Sequence, residues 1–167
     1  MELQNTEATF RRFAKQVQKK TRFRISRGKH RSSGDLRKNT SFNVKVSKNS
    51  IELQYKRPPY SDYQDRGVSG TEVKHDTPFS YKSKRPPSKV FEKWARQKGI
   101  KPRDKKSGRF ITFKAFGFLV ARKIFTKGIE PKKFFTKSFK EEFEKLPNSL
   151  REAFGKDVKK LYKSALQ

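Results

Sequence analysis

Two histidines and two neighbouring carboxylates are the residues of this chain that come closest to a catalytic pattern. His30 lies among basic residues and His75 precedes Asp76, but a general base or a metal ligand needs a further partner at a suitable spacing. Asp62 and Asp65 would suit a magnesium-dependent nuclease, although that type of site usually needs three or four acids. The other acids are scattered, and no Walker-type glycine loop occurs. We expect no catalytic residue, no metal site and no cofactor, so the chain is not predicted to be an enzyme, and a nuclease is a distant third hypothesis.

Basic residues dominate the chain, and their natural partner is a polyanion. The 167 residues include 44 Lys and Arg against 16 Asp and Glu, which gives a formal net charge of +28. A net charge of about 2 to 8 keeps a small domain in solution, so the excess indicates a negatively charged partner, with nucleic acid as the first candidate. No zinc-finger, RRM or basic-zipper pattern accompanies the charge. We therefore expect attraction to phosphates without readout of base sequence.

The composition also limits the kind of fold. Hydrophobic residues make up only 31% of the chain, yet it has 16 Phe, far more than disordered chains usually carry. The absence of Cys excludes disulfides and thiolate metal sites. The longest apolar stretch, residues 113–125, is interrupted by Lys114, Arg122 and Lys123 and is too short for a bilayer. We expect one domain over residues 1–167, with a small aromatic core and no membrane partner.

The first half of the chain is predicted to form a helix and a hairpin separated by a loop. Apolar residues at helical spacing predict a helix over residues 3–20. Residues 24–40 are basic, rich in Gly and Ser and without a period, which predicts a flexible loop. Residues 42–66 contain two alternating runs joined by a four-residue polar connection, which predict an antiparallel hairpin with one buried face and the segment that follows it. Glycines and prolines predict a long irregular loop over residues 67–87.

Residues 88–167 are predicted to form the helical part. Ser88 suits the N-cap of a short helix that ends at Lys98. Residues 113–125 are apolar nearly all round, which predicts a helix buried on more than one side, partly against a neighbouring subunit. Gly99 and Gly128 each follow Lys and precede Ile, and a Pro lies three residues after each Gly. This pattern predicts left-handed helix ends.

Two further helices complete the predicted fold. An aromatic stripe marks the first, and the second begins at Pro147 with its own apolar side. The predicted apolar sides consist of Phe135, Phe139, Phe143 and Leu146 on the first, and of Leu150, Phe154, Val158, Leu161 and Leu166 on the second. The expected fold class is α+β, in which a small antiparallel β-hairpin packs against an N-terminal helix and several C-terminal helices, with long basic loops.

Two segments carry a more specific pattern. The first, residues 60–71, reads Tyr-Ser-Asp-Tyr-Gln-Asp-Arg-Gly-Val-Ser-Gly-Thr, and the second, residues 128–135, reads Gly-Ile-Glu-Pro-Lys-Lys-Phe-Phe. Together they resemble the neck or tail-completion proteins of tailed double-stranded DNA bacteriophages, the group that includes the lambda tail protein Z. The residues that match this family's motif are Tyr60, Tyr63, Asp65, Gly67, Gly70, Gly128, Pro131, Phe134 and Phe135.

The family pattern is a Tyr-x-x-Tyr-Val-Glu-x-Gly segment after a β-hairpin, then a helix, then Gly-x-x-Pro-x-Pro-Phe before another helix. The resemblance covers roughly residues 5–145. Residues 86–90 together with Trp94 look like the variants of crAss-like and podovirus-like phages. Three departures stand out. Gln64-Asp65 replaces Val-Glu, Lys133 replaces the second proline, and the long basic loop at 24–40 is not a hallmark of the family.

The same two segments also have a physical interpretation of their own. Tyr60 and Tyr63 suit rings that are buried while their hydroxyls keep a partner. Gly67 and Gly70 would permit positive φ in a tight crossing of the chain. The alternative is that the segments are only the loop that closes the hairpin and the start of a helix.

The resemblance implies a structural virion protein of the neck or tail, assembled in the host cytoplasm. Such a protein would form a homo-oligomeric ring, with six or twelve copies, that joins the portal complex to the tail and can surround DNA during ejection. A cyclic ring requires a heterologous interface. The candidate subunit-interface residues are Phe113, Phe116, Phe118, Leu119 and Phe139.

Basic loops are the candidates for contact with double-stranded DNA or with acidic partner proteins. They lie in the loops at 24–40 and 101–109 and comprise Arg27, Lys29, Arg31, Lys101, Arg103, Lys105, Lys106 and Arg109. An alternative function is a free, non-specific nucleic-acid-binding protein of nucleoid or ribosomal type, which would bind by neutralising phosphates.

Overall fold

A computed structural model of the chain confirms the α+β class and describes residues 3–28, 34–47 and 50–166. These ranges contain helices and one two-stranded antiparallel sheet. In chain order the elements are α1 (Gln4–Arg27), α2 (Asp35–Lys38), β1 (Ser41–Val46), β2 (Ile51–Lys56), α3 (Ser61–Arg66), α4 (Ser88–Gln97), α5 (Phe113–Lys127), α6 (Phe134–Phe143) and α7 (Leu146–Ala165).

Contacts within the chain group these elements into two compact units. The first unit is Met1–Pro59 together with Lys133–Gln167, and the second is Tyr60–Lys132. The first contains α1, α2, the sheet, α6 and α7, and the second contains α3, α4 and α5. The expectation of a single domain over residues 1–167 stays a prediction.

Helix α1 forms the centre of the first unit. Phe13 and Val17 are buried with Leu146 of α7, as the apolar spacing predicts. The helix continues to Arg27, seven residues beyond the predicted end, because Thr21 and Ile25 extend the buried stripe by two more turns.

The predicted loop over residues 24–40 is therefore wrong at both ends. Its first residues belong to α1, and Asp35–Lys38 form the short helix α2. Leu36 of α2 is buried against Ile25 and Phe134, and this apolar contact holds the segment in place. Residues 29–33, which include Lys29 and Arg31, lie outside the described residues.

The predicted β-hairpin is confirmed. Strands β1 and β2 pair antiparallel, with Val44 opposite Leu53 and Phe42 opposite Tyr55. Val44 is buried, Phe42, Leu53 and Tyr55 are half-buried, and Val46 at the open end is exposed. The alternating residues thus form one packed face, as a half-buried hairpin requires.

The core of the first unit is largely aromatic. The ring of Phe139 meets Phe13 edge to face at 5.7 Å between centroids and stacks on Phe143 at 5.5 Å. Tyr55 lies 5.3 Å from Phe135 and donates its hydroxyl to the Ala14 carbonyl at 3.3 Å. Burial raises the pKa of Tyr55. Phe139 was expected at a subunit interface, but it packs in this core because the α6 stripe faces α1 and the sheet.

Ion pairs reinforce the contact between α1 and α6. Lys20 lies 2.6 Å from Glu142 and 3.1 Å from Glu141, and Arg24 lies 2.7 Å from Glu141. Hydrogen bonds to Glu142 and Glu141 raise the pKa of Lys20. Three acids, at positions 141, 142 and 144, lie at the end of α6. Two of them, Glu141 and Glu142, form ion pairs within the first unit.

The packed face of α7 differs from the predicted apolar side. Leu146, Ala153 and Asp157 are buried and Leu150 is half-buried, whereas the larger apolar residues next to this row are exposed. The exposed residues are Phe154, Val158, Leu161, Tyr162 and Leu166. Helix α1 covers the row that contains Ala153 and Asp157 and leaves the large apolar residues beside it exposed. The small Ala153 and the hydrogen-bonding Asp157 allow the closest approach of α7 to α1.

Asp157 acts as the N-terminal cap of α1 from a distant position in the sequence. Its side chain is only 2% exposed. The backbone N–H of Asn5 donates to Oδ1 at 3.0 Å, and that of Thr6 donates to Oδ2 at 2.9 Å. The Asn5 amide and the Thr6 hydroxyl add bonds of 2.7 and 2.8 Å. Since Leu3 at the N-cap makes no side-chain cap, Asp157 satisfies donors that an α-helix leaves unpaired.

In the second unit, α4 and α5 pack closely through small residues. Ala95, Gly117 and Ala121 are buried, and a Cβ on Gly117 would lie 2.7 Å from the Ser88 carbonyl oxygen. Ser88 is the first helical residue of α4, with Pro87 at the N-cap. Residues 113–125 were predicted to be buried on more than one side, partly against a neighbouring subunit. Phe118 and Leu119 are exposed, so the part of this burial that needs a neighbouring subunit stays a prediction.

Membrane crossing has no candidate in the part of the chain that the structure describes, where no helix is both long enough and apolar enough to span a bilayer.

We predict that Asp157 makes the stability of the first unit depend on acid pH. Burial alone would raise its pKa, but the hydrogen bonds from Asn5 and Thr6 outweigh burial and lower the pKa from 3.8 to about 2. The unfolded chain therefore takes up this proton first as the pH falls. The stabilisation by the carboxylate is complete above about pH 4 and is lost progressively towards pH 2. Urea unfolding followed by circular dichroism between pH 2 and 7 measures this dependence.

Asp157→Ala should lower the free energy of unfolding by about 2–3 kcal/mol at pH 7, because the N–H groups of Asn5 and of the buried Thr6 lose their acceptor. Glu152→Gln removes an exposed carboxylate of the same helix and should change it by less than about 0.5 kcal/mol. Equal effects of the two substitutions, or an unchanged acid dependence in Asp157→Ala, would contradict the capping role.

Candidate functional site

The two segments on which the resemblance rests, residues 60–71 and 128–135, meet backbone to backbone in the second unit. The N–H of Val68 donates to the Ile129 carbonyl at 2.9 Å, and the N–H of Ile129 donates to the Val68 carbonyl at 2.8 Å. The N–H of Lys132 donates to the Gln64 carbonyl at 3.0 Å. Val68 and Ile129, 61 positions apart in the sequence, are thus joined as an antiparallel bridge. We call this contact the glycine crossing, formed by residues 67–70 and 126–131.

Glycine is required here because the two backbones leave no space for a side chain. A Cβ on Gly70 would overlap the Thr126 carbonyl oxygen and lie 2.5 Å from the Gly128 nitrogen. A Cβ on Gly128 would overlap the Val68 carbonyl oxygen and lie 2.6 Å from the Gly70 nitrogen. Gly67 and Gly128 have positive φ, of 78° and 76°. Gly70 does not, so the expected positive φ is wrong there and close approach is the reason for this glycine.

The long segment after the crossing is tied down by its own polar groups. Ser69 donates its N–H to the Phe79 carbonyl at 2.8 Å and accepts the Tyr81 N–H at 2.9 Å. The Thr77 hydroxyl donates to the Gly67 carbonyl at 2.9 Å. The His75 ring nitrogen Nε2 lies 3.1 Å from the Lys127 carbonyl oxygen. The predicted irregular loop therefore has a defined course, and His75 has a structural contact that its sequence neighbours do not reveal.

An aromatic cleft of about 680 Å³ lies beside the glycine crossing. Val68 and Ile129 line it together with four rings. Tyr60 and Tyr63 were expected to be buried but are 40% and 47% exposed. Both tyrosines line the cleft, and the ring of Tyr63 lies 4.6 Å from that of Phe79 between centroids. We define the aromatic cleft by Tyr60, Tyr63, Val68, Phe79, Tyr81 and Ile129.

The carboxylates that suggested a nuclease do not form a metal-binding group. Asp65 is buried and Asp62 is half-buried. Within residues 3–28, 34–47 and 50–166, no three His, Cys, Asp or Glu side chains come together in a way that could hold a metal ion. Asp65 is 1% exposed and therefore belongs to the interior of the second unit.

The predicted basic loop at 101–109 is a well-ordered turn, which we call the basic hairpin (residues 101–110). Arg103 and Phe110 form an antiparallel bridge, and the Asp104 N–H donates to the Arg109 carbonyl at 2.8 Å. The Asp104 carboxylate accepts the Ser107 N–H at 2.7 Å and the Ser107 hydroxyl at 2.8 Å. These bonds, the backbone N–H of Ser107 first, lower the pKa of Asp104.

The basic hairpin brings five of the predicted cations together. Lys101, Arg103, Lys105, Lys106 and Arg109 are all exposed. The Arg103 guanidinium carbon lies 4.1 Å from the centre of the Phe110 ring, and that ring is 63% exposed. The exposed cations can contact phosphates, while the aromatic ring among them can contact an apolar surface. The remaining described cation, Arg27, lies in the first unit at the end of α1, with its guanidinium 5.4 Å from the Phe23 ring.

The predicted interface residues on α5 divide into two kinds. Phe113 and Phe116 are half-buried, and Arg96 lies over the Phe113 ring at 4.3 Å. Phe118 and Leu119 are 47% and 52% exposed, and Arg85 lies over Phe118 at 4.9 Å. We call Phe118 and Leu119 the α5 ridge.

The arginine that contacts Phe118, Arg85, belongs to a tetrapeptide that occurs twice in the sequence. This repeat is visible in the sequence alone. Lys-Arg-Pro-Pro occurs at residues 56–59 and again at 84–87. The Arg of each copy lies over a Phe ring, Arg57 at 4.2 Å from Phe135 and Arg85 at 4.9 Å from Phe118. The prolines fix the backbone after each Arg, which helps to hold the guanidinium in place.

We predict that Gly70→Ala destabilises the second unit by about 3 kcal/mol, the upper end of the range for overpacking, because the methyl group forces two backbones apart. Trp94 is the single tryptophan of the chain and lies in α4 of this unit. Urea unfolding followed by Trp94 fluorescence therefore measures the effect directly.

The control is Gly155→Ala, since a Cβ at Gly155 in α7 meets no atom within 4 Å. Alanine in a helix interior should stabilise the first unit by about 0.5–1 kcal/mol relative to glycine, which circular dichroism measures. This variant should not destabilise the second unit, on which Trp94 reports. Wild-type stability in Gly70→Ala would show that the backbones are not in close approach.

A second prediction concerns duplex DNA and the basic hairpin. Replacing Lys101, Lys105, Lys106 and Arg109 by Gln should weaken binding to duplex DNA of random sequence. Each lost phosphate contact lowers the slope of log Kobs against log salt by about 0.9, so the slope should fall by up to about 3.6. Fluorescence anisotropy between 50 and 200 mM salt gives this slope.

The control variant removes the same number of charges from α7 by replacing Arg151, Lys156, Lys159 and Lys163, all of which are exposed, by Gln. It should leave the slope close to that of the wild type. If both variants lose affinity equally, only the total charge matters and the hairpin is not a preferred contact.

Comparison with protein-family models, with curated proteins and with solved structures finds no match to the chain. The functional interpretation therefore depends on the residues themselves, in particular on the glycine crossing, the aromatic cleft, the basic hairpin and the α5 ridge.

Proposed function

We propose that the chain is a structural virion protein of a tailed double-stranded DNA bacteriophage. In this proposal many copies form a ring in the neck that joins the portal complex to the tail, and the ring surrounds DNA. The observation that carries the proposal is the glycine crossing. The two segments that resemble the tail-completion family are not an isolated loop and an isolated helix start, but parts of one contact.

The charge distribution supports a setting rich in phosphate. Both units are basic, with net charges of +16 for residues 1–59 with 133–167 and +12 for residues 60–132. The acids that the chain does have are partly used within the units, as at Asp157 and Glu141. Exposed cations therefore remain for polyanions, and those of the basic hairpin are held in a defined geometry.

The exposed apolar surface supports assembly. The α5 ridge leaves two large apolar side chains in water on a helix whose other face is closely packed. Exposed apolar groups of this kind, surrounded by polar residues, commonly mark protein–protein contacts. In a ring, each subunit would cover the ridge of its neighbour.

We predict that the purified protein forms closed rings of six or twelve copies when its charge is screened. Subunits of +28 repel one another, and the Debye length falls from about 10 Å at 0.1 M salt to about 3 Å at 1 M. Sedimentation and negative-stain electron microscopy should show monomers at low salt and rings at high salt, or with short duplex DNA. A monomer at every salt concentration, with and without DNA, would contradict the proposal.

A second candidate function is a free nucleic-acid-binding protein, which the basic hairpin favours. Such a protein would bind duplex DNA as a monomer, and its affinity would fall steeply with rising salt. The two functions respond to salt in opposite ways. Rings would form as salt rises, whereas the complex of a free binding protein with DNA would dissociate without any assembly of the protein.

A further inference from the structure

The aromatic cleft is built on hydrogen-bonded backbone. The N–H of Ser69 donates to the Phe79 carbonyl at 2.8 Å, and the Ser69 carbonyl accepts the Tyr81 N–H at 2.9 Å. Val68, the residue before Ser69, is bridged to Ile129. A site whose groups are already in position loses little conformational entropy when a ligand binds. The volume of the cleft, about 680 Å³, also lies within the range of about 300–1,000 Å³ that is typical of ligand pockets.

Two of the four rings in the cleft leave a large part of their surface in water. Tyr60 and Tyr63 are 40% and 47% exposed, whereas Phe79 and Tyr81 are half-buried. Exposed tyrosine rings offer flat apolar faces on which another ring can stack, and their hydroxyls can hydrogen-bond to polar groups. The cleft therefore suits a ligand that has flat rings with polar edges.

The charge at the cleft is positive. Among the described residues, Lys82 is the one charged side chain that lines the cleft, and it is exposed. Arg66 is also exposed and lies over the Phe79 ring at 5.8 Å. The nearby acids contribute little to this surface, since Asp65 is buried, Asp62 is half-buried and neither lines the cleft. A ligand with flat rings should therefore also carry negative charge.

We propose that the aromatic cleft binds single-stranded nucleic acid. Unpaired bases would stack on the rings of Tyr60 and Tyr63, and the phosphates between them would lie at Lys82 and Arg66. Rings combined with cations hold single strands without reading their sequence, because every base has a flat face. This site goes beyond the proposed ring and does not depend on it, since all the lining residues belong to the second unit of one copy.

Duplex DNA and proline-rich peptides suit the cleft less well. The bases of a duplex are stacked on one another, and a protein reaches the face of a base only by taking it out of the stack. Proline-rich segments dock in aromatic grooves, but they bring no negative charge to Lys82 and Arg66. The basic hairpin remains the expected contact for duplex DNA, so the chain would hold the two forms of nucleic acid at different places.

A binding experiment with full-length variants tests this site. The probe is a fluorescein-labelled oligo-dT of about 12 nucleotides, within the usual site sizes for single strands. Tyr63→Ala should raise its dissociation constant at least about fivefold, the lower end of the effect of losing one stacked base. Tyr63→Phe keeps the ring and should bind like the wild type. Trp94 fluorescence and circular dichroism verify that the variants are folded.

Two further probes separate stacking from attraction between charges. Tyr63→Ala should bind duplex DNA, and an abasic strand that has phosphates but no bases, as tightly as the wild type does. Lys82→Gln should reduce the slope of log Kobs against log salt by about 0.7 for oligo-dT, the value for one phosphate of a single strand. For duplex DNA this substitution should leave the slope unchanged.

The matched control is Tyr162→Ala on α7 in the first unit, where the wild-type side chain is 67% exposed. This variant should bind oligo-dT like the wild type. Equal affinities of Tyr63→Ala, Tyr162→Ala and the wild type for oligo-dT would overturn the proposal, as would wild-type binding of the abasic strand as tight as that of oligo-dT. Binding of a polyproline peptide that is lost in Tyr63→Ala, with oligo-dT binding unchanged, would assign the cleft to a protein segment instead.

Discussion

The close approach of two backbones at Gly70 and Gly128 is the constraint on which the second unit depends. At this point a methyl group on either residue would collide with a main-chain carbonyl oxygen. The contact fixes the end of α5, since the N–H of Thr71 donates to the Phe125 carbonyl and that of Glu72 to the Thr126 carbonyl. It also holds Val68 and Ile129 in place beneath the aromatic cleft. The end of α5 and the two aliphatic residues of the cleft are therefore positioned by backbone hydrogen bonds.

The chain has 16 acids against 44 Lys and Arg, and several of these acids have a structural role. Asp157 caps α1, Glu141 and Glu142 pair with cations of α1, and Asp104 shapes the basic hairpin. Each of these carboxylates orders a basic element without neutralising the whole surface. The chain thus keeps its two units folded with few acids and leaves most cations exposed. The mutual repulsion of these cations opposes the compact state.

The sequence predicts well the elements whose apolar residues recur with a clear period. The hairpin, the stripe of α1 through Val17 and the stripe of α6 through Phe139 pack as the spacing indicates. Phe143, the next residue of the α6 stripe, is 51% exposed. The end of α1 is missed because Thr21, a polar residue, continues the buried stripe at a position where polarity suggests the surface. The face of α7 is missed because helix packing favours small residues at close contacts, so Ala153 is covered and Phe154 is not.

The candidate site is predicted in part. Glycines at 67, 70 and 128 indicate a tight crossing, but which segments cross depends on a pairing over 60 residues that no local pattern contains. The cap by Asp157 and the exposed rings of Tyr60 and Tyr63 are likewise set by tertiary contacts. The grouping of the cations in residues 101–109 follows from the sequence directly, whereas their ordered geometry depends on Asp104 and on the Phe110 bridge.

Cross-linking of a mixture of ¹⁴N- and ¹⁵N-labelled protein is the most direct test of a ring in which each subunit covers the α5 ridge of its neighbour. Lys123 follows Leu119 by one helical turn on α5 and is exposed. At the salt concentration where rings form, a short lysine-reactive reagent should join Lys123 to lysines of another copy, in peptides of mixed isotope. Mixed-isotope links confined to other lysines, such as those of α7, with Lys123 linked only within one copy or not at all, would contradict the account.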